Sequence, residues 1–253
     1  MRIIFEECKT DLLRTCRYKT GIISDIVVFT VLLCFFFASN TGTSFQEKYQ
    51  EGDYKTMLLL GYIAWTVASA ALSIVTSQIS AEVQRGTFYL KINSKYPLQI
   101  IYLGDLVSSI LIQIVIIAVY TVITHFVFGV KYFISPEIVF ALSVCSIGMY
   151  GIGLAIAGLS LFFKRVGSII FLLQLTLLFV TDTVPTSNAV MYITKFIPLT
   201  KCNEVIRKCF MRTNAAQPLV ELIIYSLVMF LMGYLIFAFF LRKAKKKGNL
   251  LLY

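Results

Sequence analysis

The sequence contains six long runs of apolar residues, and no lysine or arginine falls within any of them. A bilayer core about 30 Å thick needs roughly 20 apolar residues per helix, and a cation at its centre costs at least about 2.5 kcal/mol. Because the runs are continuously apolar and not alternating, they predict membrane helices and not barrel strands. The runs cover residues 22–38, 56–80, 106–130, 137–163, 167–181 and 218–241.

The composition agrees with this interpretation. Of the 253 residues, 58% are hydrophobic and only 14% are charged, whereas a soluble domain carries about 25% charged residues. Residues 1–253 are therefore predicted to form one all-α transmembrane domain with six spans. With six spans both termini share a side, and that side holds 15 of the 23 lysines and arginines. The positive-inside rule then places both termini in the cytoplasm.

The N-terminal segment, residues 1–20, has the spacing of an amphipathic helix. Its apolar side chains recur at helical intervals, which predicts a helix lying in the cytoplasmic headgroup layer. The predicted apolar face consists of Ile3, Ile4, Phe5, Cys8, Leu12, Leu13 and Cys16.

The fourth run is rich in glycine. Gly148, Gly151, Gly153 and Gly158 lie among other small residues, and glycine lets a neighbouring helix backbone approach closely. The pattern predicts tight helix packing, by default within the chain, while a contact across a dimer stays open.

Residues 183–217 do not have the pattern of a simple loop. They hold two short apolar pieces interrupted by Pro185 and Pro198, followed by a polar helical stretch at 200–211. Pieces this short cannot span a bilayer, so they predict an outer re-entrant hairpin between the fifth and sixth spans. Its cations either attract anionic groups or are simply solvated. These cations are Lys195, Lys201, Arg207, Lys208 and Arg212.

The sequence offers no catalytic chemistry. The one histidine, His125, has no second ligand at metal-binding spacing, and neither a phosphate-binding loop nor a Gly-x-Ser-x-Gly elbow is present. No paired carboxylates lie within a run, which argues against an ion-coupled carrier. The chain is therefore predicted to be neither an enzyme nor a cofactor-binding protein.

The informative segment lies between the second and third runs, at residues 81–97. Gly86 permits a sharp reversal, and Thr87 is predicted to cap a new helix that begins at Phe88 and ends before Pro97. A short amphipathic helix on a stiff turn is suited to receive the movement of a soluble partner and pass it into the adjoining spans.

The chain reads Glu-Val-Gln-Arg-Gly-Thr at 82–87, followed by an apolar stretch, Pro97 and a Leu-Gly-Asp sequence at 103–105. With this pattern the segment resembles the corresponding loop of type-2 ABC exporter permeases. Further motifs agree in order along essentially the whole chain. They are Phe-Phe-Lys-Arg at 162–165, Ile-Pro-Leu-Thr at 197–200 with Glu204 and Arg207, and the basic tail at 242–247.

The resemblance implies how such a chain works. Residues 81–97 would be the coupling-helix loop that contacts an ATPase subunit, and residues 185–211 would form a pair of short outer helices capping the pathway. The implied coupling residues are Glu82, Arg85, Gly86, Thr87, Phe88 and Tyr89. The implied outer residues are Pro185, Pro198, Leu199, Thr200, Glu204 and Arg207.

The resemblance also implies the partners. ATP and Mg²⁺ would bind to two separate ABC ATPase subunits and not to this chain, and a second permease chain, identical or related, would complete the pathway within the lipid. No nucleic acid is involved. We expect an exporter of an amphipathic substrate (a drug, antimicrobial peptide, lipid or lipid-linked glycan) in the bacterial cytoplasmic membrane. A stand-alone carrier or channel, and a non-transporting immunity or scaffold protein, are the alternatives.

Overall fold

The computed structural model describes residues 2–38, 54–130, 133–161, 167–184 and 188–247, and every regular element in these ranges is a helix. The predicted all-α membrane fold is therefore confirmed. The helices are α1 (Arg2–Arg17), α2 (Lys19–Ala38), α3 (Tyr54–Gln84), α4 (Phe88–Ile92), α5 (Leu98–Phe128), α6 (Pro136–Ser160), α7 (Gly167–Val180), α8 (Asn188–Thr194), α9 (Pro198–Phe210) and α10 (Ala216–Lys247).

Five of these helices are long and apolar enough to cross a membrane, namely α2, α3, α5, α6 and α10. The remaining predicted run forms α7, whose 14 residues extend only about 21 Å at 1.5 Å per residue. The structure thus gives five candidate spans and one shorter apolar helix, and the count of six stays a prediction. We name the two ends of the bundle after the short helices that they carry, the α4 end and the α9 end.

Helix α3 is the centre of the bundle. It is buried along most of its length and packs against α5, α6, α7 and α9. Two polar contacts with α7 fix its position. The indole nitrogen of Trp65 donates to the carbonyl oxygen of Gln174 at 2.7 Å, and the amide of Gln174 donates to the carbonyl oxygen of Ser69 at 2.9 Å. A helix buried on all sides needs such internal partners, because lipid supplies none.

Helix α2 lies at the periphery. Few of its residues are buried, and Val27, Val31 and Phe35 are exposed at the surface of the chain. It is held by the hydroxyl of Tyr62, which donates to the carbonyl oxygen of Phe29 at 2.7 Å. Exposed apolar side chains on a span face lipid or another membrane chain, so α2 is the most weakly attached of the five spans.

Helices α6 and α10 approach each other at backbone distance. A Cβ atom built on Gly151 would lie 2.5 Å from both the carbonyl oxygen of Met229 and the Cα of Phe230, and Gly233 faces the backbone of Gly151 in return. Close backbone approach gives membrane helices packing energy without a hydrophobic drive. The other glycines of the fourth run also face helices of the same chain: Gly148 faces Ser226, Gly158 faces Phe237 and Gly153 faces the carbonyl of Leu72 on α3.

We expect Gly151→Ala to destabilise the bundle by roughly 2 kcal/mol, because the added methyl meets backbone atoms that cannot rotate away. The single tryptophan, Trp65, is buried, so its fluorescence during denaturation of the purified protein in micelles reports the transition. The matched control is Gly21→Ala, since a Cβ at Gly21 meets nothing within 4 Å. Equal transitions for both variants would contradict the packing role of Gly151.

Candidate functional site

The turn after α3 requires a glycine. Gly86 has a φ of 72°, and its amide donates to the carbonyl oxygen of Val83 at 3.1 Å while that of Thr87 donates to Glu82 at 2.9 Å. This is the hydrogen-bond pattern of a Schellman motif, in which a left-handed residue ends a helix. A Cβ at Gly86 would meet nothing within 4 Å, so the requirement comes from the backbone and not from crowding.

Thr87 does not cap α4, and the predicted cap is wrong. Its backbone is helical, with φ −87° and ψ −14°, and its side chain makes no cap hydrogen bond to α4. The hydroxyl instead donates to the carbonyl oxygen of Glu82 at 3.4 Å. A capping side chain needs an extended backbone to reach the next turn, which the tight reversal at Gly86 does not allow here.

Helix α4 presents one face to the protein and one to its surroundings. Phe88 is buried, whereas Tyr89 is 58% exposed and Leu90 is 70% exposed. Arg85, just before the turn, is also exposed. An aromatic and an aliphatic side chain therefore project from a fixed turn at the α4 end.

Lys91 attaches α4 to two other helices. Its ammonium lies 2.5 Å from the carboxylate of Glu82 on α3 and also pairs with Glu7 on α1. Glu82 is only 3% exposed and also accepts a hydrogen bond from the hydroxyl of Tyr102 at 2.7 Å. Glu82 thus lies beneath α4 and positions this helix. Arg85, Tyr89 and Leu90, and not Glu82, are exposed to a partner.

The charge of Lys91 is stabilised in this position. Burial favours the neutral amine, but hydrogen bonds to Glu7 and Glu82 outweigh burial and raise the pKa of Lys91 above its usual value of 10.5. Because the folded-state pKa is the higher one, the stabilisation is present at neutral pH and is lost only in strongly alkaline solution. The attachment of α4 is therefore insensitive to pH in the physiological range.

A second polar cluster joins α1 to the bundle. The buried Asp11 pairs with Arg14, accepts a hydrogen bond from Gln78 of α3 at 2.8 Å, and accepts another from Ser108 of α5. The backbone of α1 also lies so close to α5 that a Cβ at Gly104 would be 2.6 Å from the carbonyl oxygen of Ile4. Helix α1 is consequently docked on α5.

The apolar face predicted for α1 is divided in the structure. Cys8 is buried against the bundle, together with the polar Asp11, whereas Phe5 and Leu13 are exposed at the surface of the chain. Burial raises the pKa of the Cys8 thiol, and the carboxylates of Asp11 and Asp105 add to that effect. The face of α1 that packs against the protein is thus partly polar, and some apolar side chains of α1 point away from the protein.

The sequence reasoning missed Glu7, Asp11 and Lys91. One signal was present: Asp11 falls seven residues after Ile4 and three after Cys8, so it interrupts the apolar stripe of α1. Lys91 lies three residues after Phe88 and so on the same face of α4. The C-terminal helix α10 also contacts α4, since the ammonium of Lys245 donates to the carbonyl oxygen of Ile92 at 3.1 Å.

At the α9 end, a buried ion pair holds α9 beneath the end of α7. The guanidinium of Arg207 pairs with the carboxylate of Asp182 and also donates to the backbone carbonyl oxygen of Asp182. Asn203 donates to the carbonyl oxygen of Thr181 at 2.8 Å and to the hydroxyl of Thr183 at 3.2 Å. The segment after α7 is therefore held by side chains of α9.

The other outer residues pack inside the chain. Pro198 occupies the first turn of α9 and packs near Gly148, and Leu199 and Thr200 are buried. Pro185 lies outside the described residues. Helices α8 and α9 are 7 and 13 residues long, too short to span a bilayer.

The cations of this end are largely paired, which neither interpretation from the sequence anticipated. Lys201 lies 2.6 Å from Glu221 and 2.9 Å from Glu204, and Lys208 lies 3.2 Å from Glu204. With Arg207 bound to Asp182, three of the five cations have carboxylate partners within the chain. The basic surface predicted there is correspondingly reduced.

Residues 8–211 match the ABC-2 type transporter family, and the chain therefore belongs to this family. It is a multi-pass membrane transport component of the permease type, a class that generally works with ABC ATPase subunits. A search of curated proteins found no match to this chain. Among the described residues no group of three or more His, Cys, Asp or Glu side chains is arranged to hold a metal ion.

We expect Lys91→Met to loosen α4, because Glu7 and Glu82 would then face each other without a cation. Hydrogen exchange of the amides in Phe88–Ile92 should become about tenfold faster. Lys95→Met is the matched control, since Lys95 is exposed in the same loop and lies outside the cluster. Unchanged exchange in the Lys91 variant would show that the ion pairs do not hold α4.

We expect Arg207→Met to lower the free energy of unfolding by about 3 kcal/mol, since it leaves the buried Asp182 without its cation. Lys208→Met, one residue further along α9, removes only a half-exposed pair and should cost less than about 1 kcal/mol. Denaturation followed by Trp65 fluorescence compares the two. A larger cost for the Lys208 variant would contradict the structural role of the buried pair.

Proposed function

We propose that this chain is the permease subunit of an ATP-driven exporter in the bacterial cytoplasmic membrane, with the α4 end and both termini in the cytoplasm. Two separate ABC ATPase subunits would dock at the α4 end, and a second permease chain, identical or related, would pair with this one. Membership of the ABC-2 type transporter family supports the transport role. The excess of basic residues on the side of the termini supports the orientation.

One observation carries the docking assignment, namely that Tyr89 and Leu90 project from a helix that cannot move alone. Lys91 joins α4 to α1 and α3, and Lys245 joins it to α10. Exposed apolar side chains on a rigid support are typical anchors of protein interfaces. A partner bound to Tyr89 and Leu90 would therefore displace α3, the buried helix at the centre of the bundle.

The energy for transport would come from the partner. ATP binding would bring the two ATPase subunits together, and their contacts with α4 would be stronger in one conformation of the permease pair than in the other. Differential binding of this kind shifts a two-state equilibrium, here between openings toward opposite sides of the membrane. The implied cargo is amphipathic: a drug, an antimicrobial peptide, a lipid or a lipid-linked glycan.

Two other functions remain as alternatives, a stand-alone carrier or channel and an immunity or scaffold protein that moves nothing. Only the exporter predicts a bound ATPase subunit after mild purification from native membranes. Only the exporter and the carrier predict cargo movement in liposomes, and the carrier would do so without ATP. The three functions are therefore separable with the intact chain.

We expect the double variant Tyr89→Ala/Leu90→Ala to retain less than about a tenth of the ATPase subunit that co-purifies with the unaltered chain, because it removes both exposed anchors. The amount of ATPase retained per permease, measured on the affinity-purified complex, is the readout.

The matched control is Tyr192→Ala/Ile193→Ala on α8, which removes a still more exposed aromatic and aliphatic pair, 73% and 76% exposed, at the opposite end. It should leave ATPase binding intact. If the α8 variant loses the ATPase and the α4 variant keeps it, both the docking site and the orientation are wrong.

A further inference from the structure

Three arginines line a single pocket at the α4 end. Arg14, Arg17 and Arg85 surround a space of about 400 Å³ between the C-terminal part of α1 and the end of α3, together with Leu13 and Tyr18. No carboxylate lines this pocket in the part of the chain that the structure describes. Like charges brought together in this way repel each other unless an anion lies between them.

The three arginines differ in how their charge is balanced within the chain. Arg14 pairs with Asp11 and donates to the side-chain oxygen of Gln78 at 2.6 Å. Arg17 and Arg85 are exposed, and the guanidinium group of neither has an ion-pair or hydrogen-bond partner among the described residues. The pocket therefore has two unbalanced cations beside a third whose side chain is held in place.

The pocket adjoins a larger cavity. Arg14, Tyr18 and Arg85 also line a space of about 640 Å³ that extends along α3. Ser73 and two carboxylates, those of Asp11 and Asp25, line this second space but not the arginine pocket. Polar groups attached to an anion in the arginine pocket would have hydroxyl groups such as that of Ser73 available in the larger cavity.

The side chains beside the pocket are of the kinds found at the level of the lipid headgroups. Tyr18 lies at the junction between the amphipathic α1 and the candidate span α2, and both Tyr18 and Leu13 are exposed. Aromatic and aliphatic side chains at a helix junction suit the boundary between headgroups and acyl chains. Basic pockets at this level bind lipid phosphates, and guanidinium groups match phosphate oxygens in pairs.

We propose that Arg14, Arg17 and Arg85 bind the phosphate of an anionic membrane lipid. The bound phosphate bridges α1 and α3 directly before the turn at Gly86. Lipid binding would then fix Arg85, the residue that precedes the turn carrying α4. The site needs neither an ATPase nor a cargo, so it can be tested whether or not the chain is an exporter.

The test measures lipid binding to the purified full-length chain by native mass spectrometry, with phosphatidylglycerol and phosphatidylcholine offered in equal amounts. We expect clear preference for phosphatidylglycerol. The double variant Arg17→Gln/Arg85→Gln should lose about thirtyfold in phosphatidylglycerol affinity, which corresponds to about 1 kcal/mol for each of the two arginines. The matched control is Lys9→Gln/Lys95→Gln, which removes one exposed cation from α1 and one from the loop after α4, both outside the pocket.

The control should change the affinity less than about twofold. Equal losses in the two double variants would overturn the proposal in favour of general attraction to basic surface, and so would no loss in either. The single variant Arg17→Gln, with an intermediate loss, keeps the test valid if the double variant is poorly produced. Excess soluble glycerol 3-phosphate identifies the source of the phosphate: retention of the lipid supports a lipid site, and its displacement overturns that assignment.

Discussion

A charged side chain is stable away from water only when it is paired with a partner, and this constraint determines the contacts at both ends of the bundle. At one end Glu82 is buried between Lys91 and Tyr102, and at the other Asp182 is buried beside Arg207. The first contact joins the short helix α4 to the span α3, and the second joins α9 to the segment that follows α7. In a bilayer the loss of one member leaves a charge that lipid cannot solvate, so these contacts fix the short helices in orientation as well as position.

The long elements could be predicted from the sequence because their signal is local. Apolar runs of spanning length predicted the bounds of α3 and α6 within four residues, whereas α5 begins eight residues before its run and α10 ends six residues beyond its run. Gly86 marked the turn because only glycine adopts its backbone angle without strain. The contacts of Lys91 were not predictable, because Glu7 lies 84 residues away along the chain and nothing in either local pattern indicates the other. Thr87 was mispredicted for the opposite reason: its residue type is typical of a cap, but the tertiary turn overrides that preference.

The position of α3 gives the α4 end its significance. Most spans of the bundle expose one side to the membrane, whereas α3 is enclosed by α5, α6, α7 and α9. A displacement applied at Gly86 therefore enters at the centre of the helix packing and not at its edge. The cluster around Asp11 extends the same connection to α1, so the amphipathic helix, the turn and the central helix share one set of polar contacts.

The glycine contacts divide the bundle into parts of unequal stiffness. Where Gly151 meets Gly233 and Gly153 meets Leu72, backbone touches backbone, and no side chain is available to change its rotamer and let one helix slide past another. We therefore expect α3, α6 and α10 to move together. An opening is easier where α2 and α7 meet these three helices, because side chains such as Tyr62 and Trp65 make those contacts.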